Sequence, residues 1–144
     1  MLTVRQLLSG KPQNTVYSVR PDQMVIEALD LMAAKNIGAV LVMEGDHLAG
    51  IFSERDYARK GIIQNRKAKS TPVTEVMTPG VFVVDIRQNI EDCMKMMSEK
   101  RIRHLPVVED EKVVGILSVS DIVTAIMHEQ ENRIQSLEQY ITGY

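Results

Sequence analysis

A serine followed three residues later by an aspartate occurs twice in this chain, each time directly after a Gly-Ile pair. The two copies are Gly50-Ile51-x-Ser53-x-x-Asp56 and Gly115-Ile116-x-Ser118-x-x-Asp121. Each copy follows an apolar run and leads into a segment with helical spacing, and the start of a helix suits a phosphate because its backbone N–H groups are unpaired.

The same pattern also has a purely structural interpretation. Ser-x-x-Asp is a capping box, in which Ser53 or Ser118 is the N-cap and Asp56 or Asp121 is the N3 residue. For one isolated copy the cap is the simpler explanation. Because the pair recurs at the same place in a larger repeat, a shared binding role becomes the stronger hypothesis.

The larger repeat covers most of the chain. Residues 16–56 align with residues 81–121 at an offset of 65 without a gap, and twelve of the 41 positions are identical. Composition alone would give roughly two or three identities. Each copy contains a short strand, a helical stripe of apolar residues, a buried strand, a turn and a returning strand that ends at the serine, so a β-α-β-β-α unit is predicted twice. Short helices are predicted ahead of the units at 3–8, with a Thr3/Gln6 capping box, and at 72–77, with Thr71 as N-cap.

Composition excludes several classes of protein. The chain has 144 residues, 44% of them apolar, and each half of about 65 residues would have a marginal core, so we expect the halves to share one. A formal charge of −2 gives no reason to expect nucleic acid or an anionic membrane as partner. The single Cys93 excludes an internal disulfide. No apolar run reaches the roughly 18 residues of a membrane span and the N-terminus is not a signal peptide, so we expect a cytoplasmic protein.

Together with Arg103-His104-x-Pro106-Val107, the two motifs resemble tandem CBS domains, the paired regulatory unit called a Bateman module. The resemblance extends from about residue 3 to residue 128 and is nearest to small stand-alone CBS pairs. It implies an α+β fold of two β-α-β-β-α repeats, related by pseudo-twofold symmetry and packed sheet to sheet, with flanking N- and C-terminal helices. The implied boundaries are 1–64 for the first repeat with its leading helix, 65–128 for the second with its leading helix, and 129–144 for a helical tail.

The resemblance also implies a function. CBS pairs of this kind are non-catalytic modules for regulation and energy sensing that bind AMP, ADP, ATP or NAD(H) in the cleft between repeats and signal through conformation or dimer packing. AMP or NAD(H) is the expected ligand, and no metal is expected because the histidines lack ligand spacing. We expect a homodimer and an unidentified regulated protein as partners, without nucleic acid or membrane. No residue pattern indicates an enzyme. The alternative is a ligand-independent dimeric adaptor in which Ser-x-x-Asp only caps helices.

By the same resemblance, fifteen residues are expected to bind nucleotide. The two serine–aspartate pairs would hold phosphate and ribose, and Arg55 in the first turn indicates an anion there, with a solvated side chain as the alternative. The second repeat has Arg103 and His104 where the first has Gly38 and Ala39, so the two sites are not expected to be equivalent. The full set is Val16, Tyr17, Ile37, Gly38, Ser53, Arg55, Asp56, Val81, Phe82, Arg103, His104, Pro106, Ser118, Ser120 and Asp121.

Two further segments carry a pattern of their own. The basic segment 59–69 is predicted to be a solvated linker, with a rim that attracts the phosphates of a dinucleotide as the alternative. Residues 127–141 place Ile134, Leu137 and Ile141 at spacings of three and four, which predicts a helix with a narrow apolar seam. The seam is too short for a stable isolated coiled coil. We therefore expect the helix to pack on the leading helices or on a partner subunit.

Overall fold

The computed structural model of the protein describes residues 2–11 and 15–142. The first repeat consists of α1 (Val4–Gly10), β1 (Ser18–Val19), α2 (Val25–Lys35), β2 (Ala39–Glu44), β3 (His47–Ser53) and α3 (Glu54–Asp56), which continues as a π-helix over Tyr57–Ile62. A 3-10 turn at Val73–Glu75 precedes the second repeat. That repeat consists of β4 (Val84–Asp85), α4 (Ile90–Lys100), β5 (His104–Glu109), β6 (Lys112–Ser118) and α5 (Val119–Thr142).

Each repeat forms its own three-stranded sheet, in the order β1-β2-β3 or β4-β5-β6. The first strand of each sheet runs parallel to the second, and the second and third form an antiparallel hairpin. Each hairpin has a register shift at the same place, after Val42 in one repeat and after Val107 in the other. The predicted α+β fold of two β-α-β-β-α repeats is thereby confirmed.

The two faces of each hairpin have different environments, because successive side chains of a strand point to opposite faces. Val40 and Val42 lie in the core of the first repeat, and Leu105 and Val107 lie in that of the second. On the other face, Leu41 is fully buried without belonging to either core. The central strand β2 of the first repeat is therefore buried on both of its faces.

The buried apolar residues form two clusters, so the expectation of one shared core is wrong. The N-terminal helix α1 packs into the cluster of the second repeat through Val4, Leu7 and Leu8. Its backbone is fixed there because Val4 N donates to Gln88 O at 2.8 Å. Although it comes first in the chain, α1 is therefore part of the second hydrophobic core.

The segment before the second repeat packs into the core of the first repeat, just as α1 packs into the core of the second. Val73 and Val76 are fully buried in the cluster of the first repeat, and Val25 N donates to Thr71 O at 2.8 Å. The predicted helix at 72–77 is only a 3-10 turn, and the prediction of Thr71 as its N-cap is wrong because no side chain caps it. In contrast, the Thr3/Gln6 capping box of α1 is confirmed.

Helix α5 is longer than any other element, at 24 residues. Ile122 near its start is fully buried, whereas every residue from 130 to 142 is exposed. Among the described residues, no helix combines the length and apolar character that a membrane span requires.

Candidate functional site

Both Gly-Ile-x-Ser motifs end a strand and begin a helix, as predicted. Ser53 N and Ser53 Oγ each donate to Asp56 Oδ2 at 3.0 Å, and Asp56 N donates back to Ser53 Oγ at 3.1 Å. In the second repeat, Ser118 N donates to Asp121 Oδ2 at 2.9 Å and Asp121 N donates to Ser118 Oγ at 3.1 Å. The capping boxes are thus confirmed. They hold each hydroxyl and carboxylate at a defined position at the start of a helix.

The glycine of the first motif allows a close approach between backbone segments. Ile51 N donates to Thr78 O at 3.0 Å and Thr78 N donates to Ile51 O at 2.8 Å. A Cβ on Gly50 would lie 2.7 Å from Met77 Sδ and 2.8 Å from Thr78 O, so only glycine fits here without a shift. This approach brings Thr78 Oγ1 within 3.0 Å of Asp56 Oδ1.

The first motif opens onto a cavity of about 310 Å³, the first cleft, which is within the size range of ligand pockets. Three arginines, Arg55, Arg101 and Arg103, border it, against one carboxylate, that of Asp56. Its charge therefore favours an anionic ligand. Its lining is Ile51, Ser53, Arg55, Asp56, Thr78, Pro79, Gly80, Val81, Phe82, Arg101, Ile102, Arg103 and His104.

The second motif opens onto a larger cavity of about 550 Å³, the second cleft. Most of the residues that line it occupy positions equivalent, at the repeat offset of 65, to residues that line the first cleft. Ser120 stands at the position equivalent to Arg55, and Gly38 at the position equivalent to Arg103. The second cleft therefore lacks the arginines of the first. Its lining is Lys11, Thr15, Tyr17, Asn36, Ile37, Gly38, Ala39, His104, Ile116, Ser118, Ser120 and Asp121.

Most of the predicted binding residues line one of the two clefts. Val16 and Pro106 line neither, and Pro106 is buried in β5, where it pairs with Ile116. Each cleft joins the serine–aspartate pair of one repeat to the segment before the first strand of the other repeat and to the start of its central strand. The candidate sites are therefore composite, and neither repeat could form one alone.

The carboxylate of Asp56 is fully engaged by protein groups. Besides the two donors from Ser53 on Oδ2, Oδ1 accepts from Thr78 and lies 3.4 Å from Lys60 Nζ. A carboxylate has about four lone-pair sites, so a ligand hydroxyl would have to replace one of these donors. Lys60 was assigned to the basic linker. The i, i+4 spacing of Asp56 and Lys60 is the signal that could have identified the pair.

The carboxylate of Asp121 has a different partner and a free oxygen. Lys11 Nζ lies 2.9 Å from Asp121 Oδ2 and donates to Ile116 O at 3.1 Å. Asp121 Oδ1 has no hydrogen bond among the described residues, and the side chain is 25% exposed. Lys11 was not predicted to be part of a site. No local pattern could have identified it, because its partner is 110 residues away.

A comparison with known families decides the classification. The CBS domain profile matches the chain twice, over residues 4–62 and 73–128. The chain belongs to the CBS-domain family. This CBS pair is 39% identical over 127 residues to the mitochondrial CBS domain-containing protein CBSX3 of Arabidopsis thaliana, a match that covers 85% of this chain and 62% of that protein. The chain thus spans less than two thirds of the length of this relative.

Solved structures agree with this classification. A protein with CBS domains from Burkholderia ambifaria superimposes with a TM-score of 0.86 at 45% identity, covering 89% of this CBS pair and 96% of that chain. The CBS domain pair of protein MJ0100, solved in complex with 5′-methylthioadenosine and S-adenosyl-L-methionine, superimposes with a TM-score of 0.79 over 90% of this chain and 98% of its own. At 24% identity, the second likeness shows the fold alone.

His104 lies at the boundary of the two clefts of this CBS pair and lines both of them. Burial lowers the pKa of His104, while the nearby Asp121 carboxylate acts in the opposite direction. Because burial is the larger effect, the imidazole is mainly neutral at neutral pH. The expected positive charge toward a phosphate therefore comes from Arg103 and its neighbours rather than from this ring.

Each cleft of the CBS pair also has an aromatic ring held by a lysine. Lys35 Nζ lies 5.4 Å from the ring centre of Tyr17, and Lys100 Nζ lies 5.2 Å from that of Phe82. Both lysines end the helix that lies between the first two strands of their repeat, and such cation–π contacts orient a ring at modest energetic gain. The rings provide flat apolar surfaces against which a planar base can pack. No group of three or more metal-ligating side chains occurs within residues 2–11 and 15–142.

Proposed function

We propose that this CBS pair is a non-catalytic regulatory module that binds adenine nucleotides in its two clefts, with AMP and NAD(H) as the first candidates. The observation that carries the proposal is the composition of each cleft. A hydroxyl and a carboxylate at a helix start of one repeat face an aromatic ring and an isoleucine of the other. These are the groups that a phosphate, a ribose diol and a purine require.

The first cleft suits the phosphorylated end of a nucleotide. Arg55 and Arg103 come from opposite repeats and border the same cavity, so a phosphate between them would be bound by both repeats. Ser53 Oγ, at the start of α3, would donate to the phosphate only by giving up its hydrogen bond to Asp56 Oδ2. The diol would replace the Thr78 hydroxyl at Asp56 Oδ1, which is one of the two groups from outside the capping box that contact this carboxylate, the other being Lys60.

The second cleft suits the nucleoside part of the ligand. Lys11 already neutralises Asp121, so this cleft has little net positive charge for a phosphate. Asp121 Oδ1 remains available to a ribose hydroxyl, and Tyr17 and Ile37 line the same cavity as walls for the base. The two clefts would therefore differ in ligand preference, the first depending more strongly on phosphate charge.

Because each cleft is built from both repeats, a bound nucleotide would fix their relative position. The two exchanged leading segments would transmit a change in that position to both hydrophobic cores. A protein partner or a second subunit that prefers one arrangement would in turn change the affinity for the nucleotide, since such coupling is reciprocal. A CBS pair of the same fold, MJ0100, was solved with adenosyl compounds, which supports the choice of ligand class.

One observation favours the alternative of a ligand-independent adaptor. Asp56 is completely hydrogen-bonded within the protein, as expected of a carboxylate whose only role is to cap α3. Under this alternative, the clefts would be gaps between packed sheets and the chain would act through protein contacts.

The two functions can be separated by substituting the aspartates with asparagine. In Asp56→Asn and Asp121→Asn, the amide oxygen can still accept from the serine N–H, so the cap is retained while the carboxylate is lost. Glu27→Gln is the matched control, because Glu27 closes a capping box on Met24 N at 2.7 Å and lines neither cleft. We expect at least one asparagine variant to bind AMP about tenfold more weakly than the control, by equilibrium dialysis. AMP affinities equal to the control in both variants would favour the adaptor.

A further inference from the structure

Helix α5 carries an apolar seam that the rest of the described chain leaves uncovered. Five apolar residues of the seam are between 41% and 80% exposed, which is unusual for side chains of this size in a row. They follow one another at spacings of four, seven, three and four, and Gln130 occupies the one intervening position. The seam consists of Val123, Met127, Gln130, Ile134, Leu137 and Ile141.

The spacing of the seam fits one heptad assignment. Positions a and d of a heptad are separated by three residues and then by four. This places Met127, Ile134 and Ile141 at a, and Val123, Gln130 and Leu137 at d. The residues that dock α5 onto the second core, Ile122, Ala125 and Ile126, occupy a different face of the helix. The seam therefore stays accessible while α5 is docked.

We propose that the seam pairs with the same seam of a second copy of this chain, as a parallel, in-register, two-stranded coiled coil. Isoleucine at a with leucine at d is the combination that favours two strands over three or four. Ile134, Leu137 and Ile141 provide this combination in the exposed half of α5. The partner is thus a second copy, and the pairing does not depend on the nucleotide proposed above.

The charges beside the seam select the parallel orientation. Arg133 occupies a g position, and Glu131 and Glu138 occupy e positions. In a parallel pair, the g residue of one chain faces the following e residue of the other, so Arg133 meets Glu138 of the second copy. An antiparallel pair would instead place glutamates opposite glutamates. Arg133 already contacts Glu129 of its own helix at 3.6 Å, a pair that leaves it 71% exposed and within reach of a partner.

Gln130 fixes the register. A polar residue at one core position lowers the stability of a coiled coil but specifies the alignment of its strands. In the parallel, in-register pair, the two Gln130 side chains lie opposite each other, where each amide can donate to the other. A slip by one heptad would place Gln130 against Leu137 and leave its amide without a partner.

The short seam is sufficient because the helix already exists. An isolated helix of this length is marginal, since its nucleation is unfavourable. Here the first turns of α5 are held by Ile122 in the second core and by the capping box of Ser118 and Asp121. Pairing then only has to bury the seam. It would place the two CBS pairs side by side at the same end of the coiled coil.

The proposal is tested by sedimentation equilibrium of the full chain. We expect the wild type to dimerise and Leu137→Asp to weaken dimerisation at least tenfold, because a carboxylate would enter the seam. Gln139→Asp, on the opposite side of the same turn, is the matched control and should dimerise like the wild type. Circular dichroism confirms that each variant is folded. A monomeric wild type, or a Leu137→Asp variant that dimerises like the control, would overturn the proposal.

Orientation is tested separately. Leu137→Cys should give an oxidised covalent dimer, because equivalent d positions face each other only in a parallel, in-register pair, and Gln139→Cys should not. Cys93 is buried and does not interfere in the folded protein. Glu138→Arg should weaken the dimer, and adding Arg133→Glu should restore it. A dimer in which Leu137→Cys does not cross-link, or in which the double variant is not restored, would contradict the parallel arrangement.

Discussion

Lys11 Nζ lies 2.9 Å from Asp121 Oδ2, so the residue that follows α1 neutralises the candidate ribose-binding carboxylate of the second repeat. In the first repeat, Lys60 of the adjoining helical segment does the same for Asp56, at 3.4 Å. The position equivalent to Lys60 in the second repeat is Ala125. Both aspartates therefore have a lysine, but one is local and the other comes from the exchanged N-terminal segment.

Replacing Lys11 tests this difference. Lys11→Met should lower the free energy of unfolding by about 1–3 kcal/mol, because Asp121 loses a largely buried partner. It should also strengthen adenosine binding relative to AMP binding. The substitution frees the Asp121 carboxylate for a ribose hydroxyl and removes a positive charge that would attract the phosphate of AMP. Urea unfolding and calorimetry measure the two effects. Arg20→Met, which breaks an exposed pair with Asp22, is the control and should change stability by less than about 1 kcal/mol. A Lys11→Met variant as stable as the control would contradict the prediction.

Gly50→Ala should destabilise the protein by about 1–3 kcal/mol, because the added Cβ overlaps Met77 and the carbonyl of Thr78. It should also weaken nucleotide binding in the first cleft, because the displaced segment carries Thr78, Pro79 and Gly80, which line that cleft. Thermal unfolding gives the first effect and a binding titration the second. Gly10→Ala serves as control, because a Cβ there meets no atom within 4 Å. Equal stability of the two variants would show that the backbone is not closely packed at Gly50.

The pH dependence of stability should contain a contribution from His104. Because burial lowers its pKa in the folded state, the unfolded chain binds the proton more tightly. The contribution of neutral His104 to the free energy of unfolding is therefore fully present above the unfolded pKa of about 6.5. This contribution is lost as the pH falls through the lower pKa of the folded state. We expect His104→Gln to lose less stability than the wild type between about pH 7.5 and about pH 5.5 in urea titrations. Identical slopes for the two proteins would refute this.

Arg103 should contribute to phosphate binding. Arg103→Gln is expected to weaken AMP binding about tenfold and adenosine binding much less, because only AMP has a phosphate for the guanidinium to bind. Arg87→Gln is a suitable control, since Arg87 is 83% exposed, pairs with Asp85 and lines neither cleft. Calorimetry with both ligands distinguishes the effects. Equal losses for AMP and adenosine would indicate a structural effect of the substitution instead.

Cys93 should be unreactive in the folded protein. It is fully buried in the second core, and burial raises the pKa of its thiol to about 11, so little thiolate is present at neutral pH. A disulfide reagent should therefore modify it only after addition of denaturant. Rapid modification of the native protein would mean that α4 separates readily from the second core.

Local patterns in the sequence were sufficient to predict most of the fold. The apolar stripes of α2 and α4, the turns of both hairpins and the capping boxes at Ser53 and Ser118 all depend on residues a few positions apart. The internal repeat then showed that the two halves share one architecture. These features are set by short-range geometry, which the order of residues along the chain expresses directly.

The contacts between the repeats could not be predicted in the same way. Nothing near Val4 or Val73 indicates that each belongs to the core of the other repeat, because an apolar residue packs equally well on either surface. Lys11 likewise has no local partner to reveal its role. The wide π-helical turn at Tyr57–Ile62 was also missed, since the predicted helix has ordinary spacing there. Long-range packing determines the first two features.

Calorimetric titration of the folded wild type with AMP, ATP and NAD(H) tests the proposed function most directly. We expect saturable heat for at least one of them, with adenosine binding more weakly than AMP because the arginines of the first cleft act on phosphate. Circular dichroism and a cooperative unfolding transition verify that the sample is native. If no adenine compound gives a binding signal with such a sample, the two Ser-x-x-Asp motifs serve only as helix caps and the proposal is contradicted.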